Sequence, residues 1–177
     1  MGLKDVATAM QRAQAALRRR PQLGLHDDAP ATARWESGTR VVASHANGKQ
    51  LPTDMPSELG GSGDQVSPGW LFRAGLASCA ATTIAMAAAA KGIELTALEV
   101  RASSRSDTRG LLGMTDADGE PVYAGPGDLQ LHVRICAHGV PAEQLRALVQ
   151  DSQRCSPIPN AVERAVPMTL RIEVDAE

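Results

Sequence analysis

An α+β fold is the class the residue pattern predicts, and three observations predict it. Residues 31–53 form a run of short extended segments punctuated by Ser37-Gly38 and Asn47-Gly48. An alanine-rich stretch that is apolar on every side follows at 68–90, and beyond it lie three segments of clean apolar and polar alternation. Alternation marks half-buried strands, whereas an apolar stretch without alternation marks a buried helix. At 177 residues the chain is long enough for one good core and short for two. The reading is therefore an N-terminal amphipathic helix and linker over 1–30 and one domain over 31–177.

The first element is a helix from Leu3 to Arg20, with Leu3, Val6, Met10, Ala13 and Leu17 on one seam and Pro21 as its stop. Residues 21–30, with two prolines, a glycine and two aspartates, read as linker. Ala31 to Glu36 and Thr39 to Ser44 are the first strands of a meander, and Asn47-Gly48 is a hairpin signal. Pro52 and Pro56 restrict the third segment to an edge or an irregular course. A glycine-rich loop, Met55 to Gly63, leads into the core helix, which Ser67 caps, Pro68 opens and Gly92 stops. Three further strands follow, around Leu98, Val100 and Ala102, around Leu129, Leu131, Val133 and Ile135, and around Met168, Leu170, Ile172 and Val174. The first two flank a glycine-rich connection over 107–127, an irregular hairpin loop. Pro141 opens a second helix that carries Leu145, Leu148 and Val149 and ends near Arg154.

Composition excludes several functions. The formal charge is -2 with both signs mixed along the chain, so neither nucleic acid nor an anionic membrane is expected as partner. Aromatics make up 2% of the residues, too few to stack bases. The stretch 74–90 is too rich in alanine, serine and threonine for a membrane span. No uninterrupted apolar region follows Met1, which predicts a cytoplasmic chain without a secretory signal. Three widely spaced cysteines, Cys79, Cys136 and Cys155, fit neither a disulfide framework nor a closed zinc site and read as reduced thiols. His26, His45, His132 and His138 show no metal spacing, so no metal or cofactor is expected. The glycine loop lacks the lysine ending of a phosphate-binding loop.

The chemistry-bearing candidate is Cys79, in the first third of the core helix among Ala77, Ser78, Ala80 and Ala81, whose small side chains leave room for a reagent. A lone cysteine on such a helix is more often a small core residue. An acyl-transfer pair of Cys79 with His45 stays open, because such sites assemble in space.

Pro56-Ser57-Glu58-Leu59-Gly60-Gly61, then Ser67-Pro68, then Leu71-Phe72-Arg73-Ala74-Gly75-Leu76-Ala77-Ser78-Cys79 together resemble the OsmC/Ohr family, the osmotically inducible and organic hydroperoxide resistance proteins. The likeness continues through Lys91-Gly92-Ile93 and Leu98-Glu99-Val100 to Cys155, and covers about 31–174. It implies an OsmC-like fold, an intertwined homodimer with each site at the subunit interface, and thiol peroxidase activity without a cofactor. By resemblance Cys79 attacks a hydroperoxide and becomes a sulfenic acid, Cys155 resolves it as a disulfide, and an external dithiol reduces that disulfide. The family also sets an arginine against the thiolate and a glutamate against the arginine. Arg34, Arg40 and Arg73 are the arginine candidates, Arg40 the first choice. The glutamate position, just after the proline that opens the core helix, is Gly69, a departure that marks a divergent branch and leaves Glu58 as a substitute without a spacing argument. The alternative function is a non-catalytic dimer of the same fold that binds a small apolar or thiol-bearing ligand at its interface.

Overall fold

The computed structural model describes residues 2–175. Five helices and five strands run in the order α1 (Leu3–Arg19), β1 (Thr32–Ser37), β2 (Arg40–Ser44), β3 (Gln50–Thr53), α2 (Pro68–Ala90), β4 (Leu95–Arg105), α3 (Thr108–Leu111), β5 (Gly127–Ala137), α4 (Ala142–Gln153) and α5 (Pro157–Glu163). The strands form two antiparallel sheets, one of β1-β2-β3 and one of β4-β5. Between β2 and β3 the Asn47-Gly48 turn closes as expected, with Gly48 at φ 85°, a left-handed value that glycine adopts without strain. Pro52 lies on β3, which is an edge strand of its sheet.

The core helix begins where its punctuation places it. Ser67 accepts the Trp70 amide at 3.2 Å, Pro68 takes the first turn, and Gly92 at φ 68° ends the run. By length and composition α2 could cross a membrane, with a window of mean hydropathy 1.4. It packs instead on β4, α4, α5 and α1. The sequence predicts burial all round, but in the single chain only Leu76, Ala80, Ile84, Ala88 and Ala89 are buried. Leu76, Ala80, Ile84 and Ala88 recur every fourth residue and form one stripe. Trp70, Phe72 and Met86 remain exposed, because the helices and strand that pack on α2 cover only part of its surface.

Pairing of Leu98 with Ile135, Val100 with Val133 and Ala102 with Leu131 confirms the parity read for β4 and β5. The core closes at the C-terminal end of α2, where Ala88, Ile93, Ala137, Leu145 and Leu148 meet. The segment around Met168, Leu170, Ile172 and Val174, expected as a third strand, pairs with nothing among the described residues and is exposed. Its alternation needs a sheet edge, and the fold of one chain brings none to it. Helix α5 is an addition to the expected elements, started by Ser156 and Pro157. Residues 107–127 hold the short α3 and one isolated bridge, Thr115 with Pro121.

Candidate functional site

Cys79 lies on the face of α2 that continues through Phe72, Gly75, Thr83 and Met86, each three or four residues from the next. Helix α5 crosses this face. The Ile158 side chain comes within 3.9 Å of where a Cβ on Gly75 would stand, an ordinary contact. The half-buried Cys79 Sγ shares a hydrogen bond with Ser156 Oγ at 3.4 Å and accepts the Ile158 amide at 3.4 Å. The sulfur therefore meets one hydroxyl and one backbone donor from the start of α5, two groups that can bind a charged or oxygenated sulfur.

This face of α2 runs between two largely apolar cavities. One, about 550 Å³, lies at the N-terminal end of the helix and is lined by Met55, Leu59, Phe72, Arg73, Asp107 and Leu111 among others. The second, about 470 Å³, lies toward the C-terminal end between α1, α2 and the turn after α4, with Met10, Thr83, Met86, Lys91, Cys155 and Pro157 in its wall. An alkyl chain can lie against either wall.

The other sequence candidates fall elsewhere. Cys155 is an exposed free thiol in the wall of the second cavity, and Ser156, its neighbour in the chain, takes the place opposite Cys79. Arg40 at the start of β2 turns to carboxylates: its Nη2 donates to Asp64, to Ser62 Oγ at 2.8 Å and to Asp54 at 3.5 Å. Arg34 lies on the exposed β1. Arg73 donates to Ser104 Oγ at 3.4 Å, and its Nη1 is 3.7 Å from the place a Cβ on Gly69 would take. Glu58 accepts the Ser57 hydroxyl at 3.3 Å. His45 Nδ1 accepts the Asn47 amide inside its own turn. Cys136 faces outward on β5. Among the described residues, no three His, Cys, Asp or Glu side chains gather as a metal site.

Asp54, absent from the sequence candidates, is the hub that shapes the loop before α2. Hydroxyl donation from Ser62 and then from Thr39, with the Ser62 amide, holds its carboxyl well below the usual carboxylate range. Ser62 and then Arg40 lower Asp64 to about 2. Gly61 is required here, since a Cβ would stand 1.7 Å from the Met55 carbonyl oxygen. No periodic signal marks Asp54, an isolated acid after an edge strand. Ser156 could have been found only as the neighbour of a suspected cysteine.

A family model described as OsmC-like protein matches residues 61–171. The chain belongs to the OsmC-like protein family. Solved structures of similar fold include an OsmC-like protein from Mycoplasma pneumoniae, 19% identical with a TM-score of 0.64 over 78% of this chain and 89% of that one. An OsmC-like protein of unknown function from Vibrio cholerae is 15% identical, with a TM-score of 0.63 over 78% and 95%. A candidate organic hydroperoxide resistance protein from Vibrio cholerae, with captopril bound in one of its active sites, is 26% identical, with a TM-score of 0.52 over 78% and 87%. No curated protein matches the chain. The OsmC-like match spans α2, β4, β5, α4 and α5, and so includes Cys79, Ser156 and the α2 residues that line both cavities.

Proposed function

We propose that this OsmC-like protein is a cysteine peroxidase that reduces organic hydroperoxides at Cys79, acting in the cytoplasm as an intertwined homodimer. One observation carries the reading: a half-buried thiol with a hydroxyl and an amide at its sulfur sits on a helix face whose residues to either side, Phe72 and then Thr83 and Met86, line two apolar cavities. The thiolate attacks the distal peroxide oxygen, the O–O bond breaks, and the alkoxide leaves with a proton as an alcohol. Ser156 and Ile158 are placed to bind the oxygen that the sulfur gains. The apolar walls favour an alkyl peroxide over hydrogen peroxide, because they remove the alkyl chain from water. The 26% identical Vibrio cholerae protein is a candidate organic hydroperoxide resistance protein, which supports the same substrate class.

The dimer rests on surfaces that a single chain leaves bare. Every residue of β1 is exposed, Trp35 among them, and Met168, Leu170, Ile172 and Val174 alternate outward at the C-terminus. An exposed alternating segment that meets no sheet edge among the described residues of its own chain fits strand addition to a second copy.

A second reading, a binding dimer without turnover, is favoured by one contact pattern: Arg40 is engaged by Asp54 and Asp64 instead of by the thiol. Stopped-flow mixing with cumene hydroperoxide separates the two. The peroxidase consumes one equivalent far faster than free cysteine does, and Cys79→Ser abolishes the reaction. Rates equal to free cysteine, or undiminished turnover by Cys79→Ser, leave the binding reading.

A further inference from the structure

We infer that Ser156 occupies the position of the resolving group, so that oxidised Cys79 is returned to the thiol by a small free thiol instead of by Cys155; this rests on the peroxidase reading of Cys79. Two adjacent residues point opposite ways. The Ser156 side chain is fully buried with its oxygen 3.4 Å from Cys79 Sγ, whereas Cys155 is exposed and opens on the cavity beneath α1. The turn that fixes these directions is pinned. Asn160 Nδ2 donates to the carbonyls of Gln153 at 3.0 Å, Arg154 at 3.3 Å and Ser156 at 2.8 Å, and Pro157 restricts the next φ. Rotating Cys155 inward would displace the buried hydroxyl and break this set of bonds. A sulfur in place of the Ser156 oxygen, by contrast, would stand only about 1.4 Å beyond S–S bonding distance.

An alcohol cannot take a sulfenic acid to a disulfide, so the co-reactant must come from outside, and its chemical class is a low-molecular-weight monothiol. Its sulfur bonds to Cys79 as water leaves. A second monothiol attacks the outer sulfur, which releases the symmetrical disulfide and restores the Cys79 thiol. In sum, one hydroperoxide and two thiols give one alcohol, one water and one disulfide. Cys79 is half-buried and Ile158 beside it is exposed, which leaves that side as the approach for a small thiol.

The test oxidises the full chain, Cys155→Ser and Ser156→Cys in two ways: with one equivalent of cumene hydroperoxide in the presence of dimedone, and with diamide, which couples thiols without a peroxidase step. Peptide mapping then locates the products, and turnover is measured with glutathione as the probe thiol. The expected result is a dimedone adduct at Cys79 in the full chain and in Cys155→Ser, with glutathione turnover in these two within about twofold. With diamide, Ser156→Cys forms an internal disulfide between Cys79 and position 156, and the full chain forms none between Cys79 and Cys155. A Cys79–Cys155 disulfide in the full chain, or a tenfold loss of glutathione turnover in Cys155→Ser, overturns the inference. If hydroperoxide leaves Cys79 reduced in all three proteins, the peroxidase reading fails, while the diamide products still decide which residue faces the sulfur.

Discussion

At Asp54 five donors converge on one carboxylate: the Thr39 and Ser62 hydroxyls, the Met55 and Ser62 amides and the Arg40 guanidinium. Folding therefore favours its charged form, and Asp64 beside it is likewise lowered, to about 2. Stability from depressed carboxyls is complete above their unfolded value of about 3.9 and is lost as pH falls toward the folded values. The urea midpoint of the protein should accordingly drop between about pH 4 and pH 2. Asp54→Asn should lower the midpoint at neutral pH and flatten that acid decline; parallel declines in both proteins would place the acid sensitivity elsewhere. Gly69 leads to a second expectation. It follows Pro68 in the first turn of α2, and a Cβ there meets nothing nearer than Arg73 Nη1 at 3.7 Å. Gly69→Glu adds a helix former, an acid in the first turn and a partner four residues from Arg73, together about 1 kcal/mol. Thermal unfolding should rise by about 2–4 °C.

Among the elements, α4 is the clearest case of a sequence pattern that becomes packing. Leu145 and Leu148 face the cluster of Ala88, Ile93 and Ala137, and Leu148 is 1% exposed. Leu148→Ala should cost about 2–5 kcal/mol, read from denaturant unfolding, because a close-packed site refills poorly. The loss should also move the turn after α4 and so alter Cys79 reactivity toward a thiol reagent, since that turn carries Ser156. Helix α5 escaped the sequence reading for a physical reason. Pro157 and Pro159 break the hydrogen-bond pattern expected of a helix interior, yet both fall in its first turn, where an N–H has no helical partner to lose.

For the whole molecule, the bare β1, the exposed apolar faces of α2 and the unpaired C-terminal alternation share one resolution in the proposed dimer. The 18.6 kDa chain should elute at twice its mass in size-exclusion chromatography with light scattering. Deleting residues 166–177 should shift it to monomer or to aggregate, as the exposed faces lose their cover. A full-length monomer at micromolar concentration would refute the intertwined assembly.

Local period and punctuation in the residue order were enough for the α+β class, the limits of α2 from Ser67, Pro68 and Gly92, the register parity of β4 and β5, and the family resemblance around Cys79. Tertiary structure alone decided which groups meet. Arg40 went to Asp54 and Asp64 because the folded loop around Gly61 brings those acids to β2. Ser156, and not Cys155, reached Cys79 across 77 positions of chain. The direction of a side chain in a turn is set by bonds such as those of Asn160, and sequence spacing does not encode them.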